Sequence, residues 1–142
     1  MAQYAAERRV HRISIDRRPI AGLIIAVPVV CFVGALLTDL SYLGSGGNLL
    51  WVNFSSWLLA AGLAFGALAG IFSLIDAIRG ASAWLAFGFL LLAWIVELIN
   101  SFVHARDGWT AVAGLGLVLS IVGALLILIA GWLQRSRVEE VR

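Results

Sequence analysis

Four long stretches with almost no charged residues constrain the fold of this chain more than any other feature. The stretches are residues 19–38, 40–75, 80–105 and 108–134. Glu97 is the one charged residue they contain. A helix that crosses the hydrocarbon core of a bilayer needs about 20 apolar residues. The second stretch is longer because it includes a Gly-Ser-Gly-Gly-Asn turn at residues 44–48. The sequence therefore predicts an all-α integral membrane protein, a four-helix bundle.

Composition supports one membrane domain with short connections. The chain has 142 residues, of which 62% are hydrophobic and 13% are charged, whereas a soluble domain contains about 25% charged residues. The first apolar stretch is 20 residues long and follows 18 hydrophilic ones, which favours a retained helix over a signal peptide. We expect a basic tail at residues 1–18, a four-helix domain at 19–134 and a second tail at 135–142. The helices should span about 19–40, 54–76, 82–104 and 109–133.

The arginines predict the orientation of the chain in the membrane. All ten basic residues are Arg, and nine of them lie in the tails or in the second loop. The first loop has none, and the third has Arg106. This asymmetry predicts a multi-pass protein of the bacterial inner membrane with both termini cytoplasmic, an N-in/C-in topology. The positive charge then matches anionic lipid headgroups and gives no reason to expect a nucleic-acid partner.

A row of glycines in the second predicted helix indicates close helix packing. Gly62, Gly66 and Gly70 recur at every fourth position. Small residues at this spacing let a second helix approach closely, which promotes association in lipid. The row could pack within the chain or against another membrane subunit or a second copy, and we favour the first. Besides the lipid bilayer, the possible partners are therefore a homo-oligomer or other membrane subunits.

A small set of polar residues lies inside the predicted spans. Glu97, Asn100 and His104 follow an i, i+3, i+7 spacing, so they share one face of the third helix. Asp39, near the end of the first helix, lies at a similar depth. A charged side chain at mid-helix costs about 2.5–3.5 kcal/mol, so such residues are candidates for function.

Two interpretations of these polar residues remain open. The functional one is a cluster that opens toward the outer face and relays protons or holds a ligand. The structural one is that Glu97 is protonated or reaches toward the interface, while Asn100 bonds a neighbouring helix. The structural interpretation is favoured, because a pathway should continue across the membrane and the inner half has no matching acid.

The remaining residues give no reason to expect a metal, a cofactor or an enzyme. His11 lies in the N-terminal tail and His104 at the opposite surface, so they cannot share one haem iron in a monomer. Cys31 is the single cysteine, which excludes an intrachain disulfide and a four-thiolate metal site. No nucleophile has an adjacent base.

Several segments resemble a bacterial family of small membrane proteins, catalogued as domain of unknown function 2231. They are PVVCFVGALLTDLSYL at residues 28–43, WLLAAGL at 57–63, LID at 74–76, Asn100, Leu119-Ser120 and Gly131-Trp132. The resemblance extends from Arg18 to Trp132. It implies a four-helix inner-membrane architecture, and the family has no established activity to carry over.

This chain departs from the family pattern at its histidines. Members typically open the first helix with two His-Pro pairs, and here those positions read Arg18-Pro19 and Ala21-Gly22. A further family histidine early in the third helix has no counterpart in residues 83–87. A metal or haem role proposed for the family is therefore not carried over to this chain.

Three functions are compatible with these observations. The leading hypothesis is a non-enzymatic accessory or scaffold subunit, because the glycine faces are close-packing, the loops are short and no catalytic constellation is present. The alternative is a small dimeric transporter or ion pathway that uses Glu97 and Asp39 as ionisable sites. The third is a membrane subunit of a redox chain.

Overall fold

The described part of the chain forms a bundle of four long helices. The computed structural model describes residues 18–79, 83–106 and 112–140. Within these ranges the elements are α1 Arg18–Gly44, α2 Leu49–Ile78, α3 Trp84–His104 and α4 Leu117–Glu140. A short π-helical segment, Val112–Gly116, leads into α4, and Gly114 within it departs from helical dihedral angles and marks a kink. These ranges contain no strand, so the all-α prediction is confirmed.

Each of the four helices is long and apolar enough to cross a membrane. The candidate spans are Leu23–Gly44, Leu49–Ile78, Trp84–His104 and Val112–Ser136. Large apolar side chains cover their outer faces, including Leu23, Trp57 and Trp132. A protein surface of this kind is suited to lipid, since lipid tails are as apolar as the side chains they touch.

Consecutive helices are neighbours in the bundle, and α4 also packs against α1. We call the end that carries the α1–α2 and α3–α4 connections the loop end. The opposite end, which carries Arg18, Glu140 and the α2–α3 connection, is the tail end. Residues on different helices can therefore be compared by their distance from the loop end.

The first connection is shorter than predicted. Helix α1 continues to Gly44, beyond the expected end near residue 40, and α2 begins at Leu49 rather than near residue 54. The side chain of Asn48 accepts a hydrogen bond from Leu50 N at 3.0 Å and caps α2. Gly46 and Gly47 have φ values of 69° and 93°, and these left-handed conformations let the chain reverse within four residues.

The other predicted boundaries have mixed outcomes. Helix α4 continues to Glu140, beyond the expected helix end near residue 133, while its candidate membrane span ends at Ser136. The expected starts at residues 82 and 109 and most of the N-terminal tail lie outside the described residues.

The core changes character along the bundle. Phe32, Leu59, Leu90 and Ile127 are buried in one apolar cluster shared by all four helices. Trp94 of α3 adds a tie to α2, because its indole N–H donates to the Leu63 carbonyl at 2.9 Å. Polar side chains replace this apolar core toward the loop end.

The three glycines of the predicted row have different surroundings. A Cβ at Gly62 would overlap the ring of Phe32, and a Cβ at Gly66 would lie 3.0 Å from the Trp94 ring. Both glycines therefore let other helices of the same chain approach α2. Gly70 has no atom within 4 Å of its Cβ position and borders an apolar groove of about 220 Å³ between α2 and α3.

Candidate functional site: a buried polar cluster

All four helices contribute a polar side chain at one level near the loop end. Asp39 comes five residues before the end of α1, and Ser55 comes six residues after the start of α2. At 1.5 Å per residue, both lie about 8–9 Å from their helix ends. The polar cluster consists of Asp39, Ser55, Glu97, Asn100, His104 and Ser120. None of the six is more than 5% exposed.

Asp39 is the centre of the polar cluster. One of its carboxyl oxygens, Oδ1, lies 3.0 Å from Nε2 of His104 on α3. The other, Oδ2, accepts a hydrogen bond from the Ser120 hydroxyl on α4 at 2.5 Å. A single carboxyl group therefore connects α1 to α3 and α4.

His104 is held through both of its ring nitrogens. Nδ1 lies 3.0 Å from the backbone carbonyl oxygen of Asn100, which only accepts, so Nδ1 carries a hydrogen. Nε2 faces Oδ1 of Asp39 and also lies 3.3 Å from the Ser55 hydroxyl. With Asp39 ionised, Nε2 donates as well, and the two side chains form a buried ion pair. Ser55 adds α2 to the network.

Asn100 connects the two acidic residues. Its amide nitrogen donates to Oε2 of Glu97 at 2.9 Å and to Oγ of Ser120 at 2.8 Å. Both amide hydrogens are therefore used. Because Ser120 accepts from Asn100, its own hydrogen is free to go to Asp39. The hydrogen bonds thus run in one direction, from Asn100 through Ser120 to Asp39.

Glu97 packs directly against α4. A Cβ at Gly123 would overlap the carboxyl group of Glu97, so the carboxyl occupies the space that a side chain at position 123 would fill. Glu97 is fully buried, yet its Oε1 has no hydrogen-bond partner. The side-chain oxygen of Asn100, Oδ1, also has none.

Apolar residues close the polar cluster at the loop end. Tyr42 lies one helical turn beyond Asp39, and Val52 lies one turn before Ser55. Together with Val112 they form a second buried cluster, against which Trp51 packs. Among the described residues, these side chains lie between the polar cluster and the loop end, which agrees with the structural interpretation favoured from the sequence.

Within the described residues, no continuous chain of hydrogen-bonded side chains connects the cluster to the tail end. The apolar core around Phe32, Leu59 and Leu90 comes next along the bundle. Beyond it lies an isolated pair, in which Gln134 donates to Ser73 at 3.1 Å. The cluster can move a proton among its own members, but these residues offer no relay across the bundle.

The described residues contain no group of three His, Cys, Asp or Glu side chains arranged to hold a metal ion. Cys31 is buried beside Gly62 of α2. It lies eight residues before Asp39 in α1, or about 12 Å along the axis, and so does not belong to the cluster.

The structure brings together the four residues singled out from the sequence and adds two serines. Asp39 joins Asn100 and His104 through direct contacts or through Ser120. Glu97 and His104 do not pair with each other, as their spacing predicted, and Asn100 contacts both. Sequence reasoning missed Ser55 and did not include Ser120 among the candidate polar residues. The available signal was the spacing of Ser120 and Gly123, which places a hydroxyl beside a gap on one face of α4.

A family model described as "Predicted membrane protein (DUF2231)" matches residues 17–140. The chain belongs to this family, as the sequence resemblance indicated. Together with the four candidate spans, the match identifies a multi-pass membrane protein. No significant match is found among curated proteins or solved structures.

Replacing Gly123 with Ala should destabilise the bundle. The new methyl group must displace the buried carboxyl of Glu97, and overpacking of this kind costs about 1–3 kcal/mol. The measurement is the fraction of folded protein during an SDS titration in mixed micelles. Gly88→Ala is the matched control, because its Cβ position has nothing within 4 Å. Equal midpoints for the two variants would contradict the proposed contact.

Removing the Asp39 carboxyl should also destabilise the fold. Asp39→Ala leaves His104 buried without its partner, which costs 3–5 kcal/mol in soluble proteins. We expect about 1–3 kcal/mol here, because a protein unfolded within a membrane also finds polar partners. The same SDS titration measures the loss. Asp76→Ala, at an exposed acidic residue, should change stability by less than about 0.5 kcal/mol.

Proposed function

We propose that this protein is a non-enzymatic accessory or scaffold subunit of the bacterial inner membrane. The observation that carries the proposal is the closed polar cluster that joins all four helices near one end. Its hydrogen bonds tie the helices to one another and leave no described opening through which a substrate would enter. A subunit whose buried polar groups bond to one another holds its helices in one arrangement. It therefore offers other proteins an outer surface of fixed shape.

The chemistry of the bilayer explains how such a cluster could serve a scaffold. Helices in lipid lack the hydrophobic driving force that packs soluble bundles, so packing and interhelical hydrogen bonds select the arrangement. The Asp39–His104 contact joins residues that are 65 positions apart, and a helix shifted by one turn would lose it. The cluster therefore favours one register of the helices and presents one outer surface to a partner.

The competing function is a small dimeric transporter or ion pathway that uses Glu97 and Asp39. It would require Tyr42 and Val52 to move aside at the loop end. It would also require a polar route past Phe32, Leu59 and Leu90, which are apolar and buried. Both changes disrupt well-packed layers, so the scaffold role agrees better with the described residues.

Complex formation and ion flux together separate these functions. We expect protein purified from its native membrane in a mild detergent to run as a defined complex with stoichiometric partner subunits or copies of itself. Liposomes that contain the protein should show no more proton or cation flux than empty vesicles. A monomer recovered while its neighbours are expressed would contradict the scaffold role. Flux that Glu97→Gln abolishes would establish the transporter instead, and a haem or flavin absorption band would establish a redox subunit.

We also propose that both termini are cytoplasmic, which places the polar cluster in the outer half of the membrane. The asymmetry of the arginines supports this orientation. Reporter fusions at the N-terminus and the C-terminus should both give a cytoplasmic signal. A fusion at the 45–48 connection should give the opposite one. An external signal from either terminus would contradict the topology.

A further inference from the structure

Two buried oxygen atoms of the polar cluster lack hydrogen-bond partners. They are Oε1 of Glu97 and Oδ1 of Asn100, and both residues are fully buried. The two side chains already touch, because Nδ2 of Asn100 lies 2.9 Å from Oε2 of Glu97. A carboxylate oxygen and an amide oxygen both accept hydrogen bonds, and a buried acceptor without a donor costs about 1–3 kcal/mol.

No donor on the Asn100 side of the cluster remains available for them. Asn100 has two amide hydrogens, and these go to Glu97 and Ser120. The Ser120 hydroxyl has one hydrogen, and it goes to Asp39. This part of the network is complete except for the two oxygen atoms.

The rest of the cluster supplies no donor either. Ser55 is placed to donate to the carbonyl oxygen of Ala35 at 3.4 Å. His104 directs Nδ1 to the Asn100 carbonyl oxygen and Nε2 to Asp39. One hydrogen is therefore missing from an otherwise complete set.

The charges of the cluster show the same deficit. The titratable groups that face Glu97 are Asp39 from α1 and His104 from α3 itself. The contributions of α2 and α4 to the cluster, Ser55 and Ser120, are not titratable. Two carboxylates opposite one imidazolium leave a net charge of −1 in a water-poor interior. A buried group in this position normally becomes neutral.

We propose that Glu97 and Asn100 form a binding site for one exchangeable proton. The proton is held on Oε1 of Glu97 and is donated toward Oδ1 of Asn100. The carboxylate takes it from solvent to become a carboxylic acid, and no other bond is formed or broken. The acid and the amide then make two reciprocal hydrogen bonds, and one proton both satisfies the unpartnered oxygens and removes the net charge.

Two other occupants are chemically reasonable, and the test separates them from a proton. A sodium ion would bring a compensating charge, but it needs several oxygen ligands in a space where two are unassigned. A water molecule would donate to both oxygens but would leave the charge on Glu97. The proton is favoured because it supplies the missing hydrogen-bond donor and removes the negative charge. It also needs no added volume beside Gly123.

Infrared difference spectroscopy on the purified full-length protein, recorded across a pH series, tests the proposal. The wild type should show the carbonyl stretch of a buried carboxylic acid, and this band should disappear as the pH rises. Glu97→Gln should lack the band at every pH. This variant should still fold, because the Gln amide can donate to Oδ1 of Asn100 and accept from its Nδ2. Asp76→Asn is the matched control and should keep the band.

Three results would overturn the proposal. They are absence of the band at every pH at which the protein is folded, persistence of the band in Glu97→Gln, and stabilisation by sodium over choline chloride that Glu97→Gln abolishes. The last result would assign the site to a sodium ion. Circular dichroism of each variant verifies folding. The spectra need no partner subunit, so this test can fail or succeed independently of the scaffold role.

Discussion

The interior of a bilayer offers polar side chains no water, and this constraint determines how the bundle is built. Each buried polar group must find its partner in the protein, since an unsatisfied one costs several kcal/mol. The contact between Asp39 and His104 meets this requirement at once for two of the three buried Asp, Glu and His side chains among the described residues. This pair also fixes the positions of three further side chains. Ser120 contacts Asp39, whereas Asn100 and Ser55 contact His104. Asn100 also donates to Ser120.

The two halves of the bundle are held together by different interactions. Toward the tail end, bulky side chains such as Phe32 and Trp94 lie against Gly62 and Gly66, so close packing and dispersion contacts dominate. Near the loop end, directional hydrogen bonds dominate. At Gly123 close packing and the polar cluster meet, because the absent side chain makes room for the carboxyl of Glu97. Packing tolerates small sliding of one helix along another, whereas the hydrogen bonds do not, so the polar half sets the register for the whole bundle.

The spans and most residues of the polar cluster could be predicted from the sequence for physical reasons. The same reasons explain why the helix ends and Ser55 could not. Charge-free stretches are a direct consequence of lipid, and Glu97, Asn100 and His104 share a face by helical geometry alone. Helix ends were less predictable, because Gly44, Gly46 and Gly47 are compatible with a longer loop. The cap at Asn48 starts α2 at Leu49 instead. Ser55 and the closure by Tyr42 depend on how α2 is rotated against α1. No pattern within a single helix encodes that rotation.

The depth of the polar cluster limits what it can do. It lies about 8–9 Å from the helix ends at the loop end, where a polar group costs less than at the membrane centre. Among the described residues, the layer around Tyr42 and Val52 separates it from the loop end, so a small opening there would let a proton exchange with solvent. On the other side, the apolar core around Phe32 and Leu59 provides no acceptor for a proton that leaves the cluster. A proton at the proposed site would therefore enter and return by the same side, which is the behaviour of a binding site. A conducting path would need a second exit, and the described residues place apolar side chains where that exit would begin.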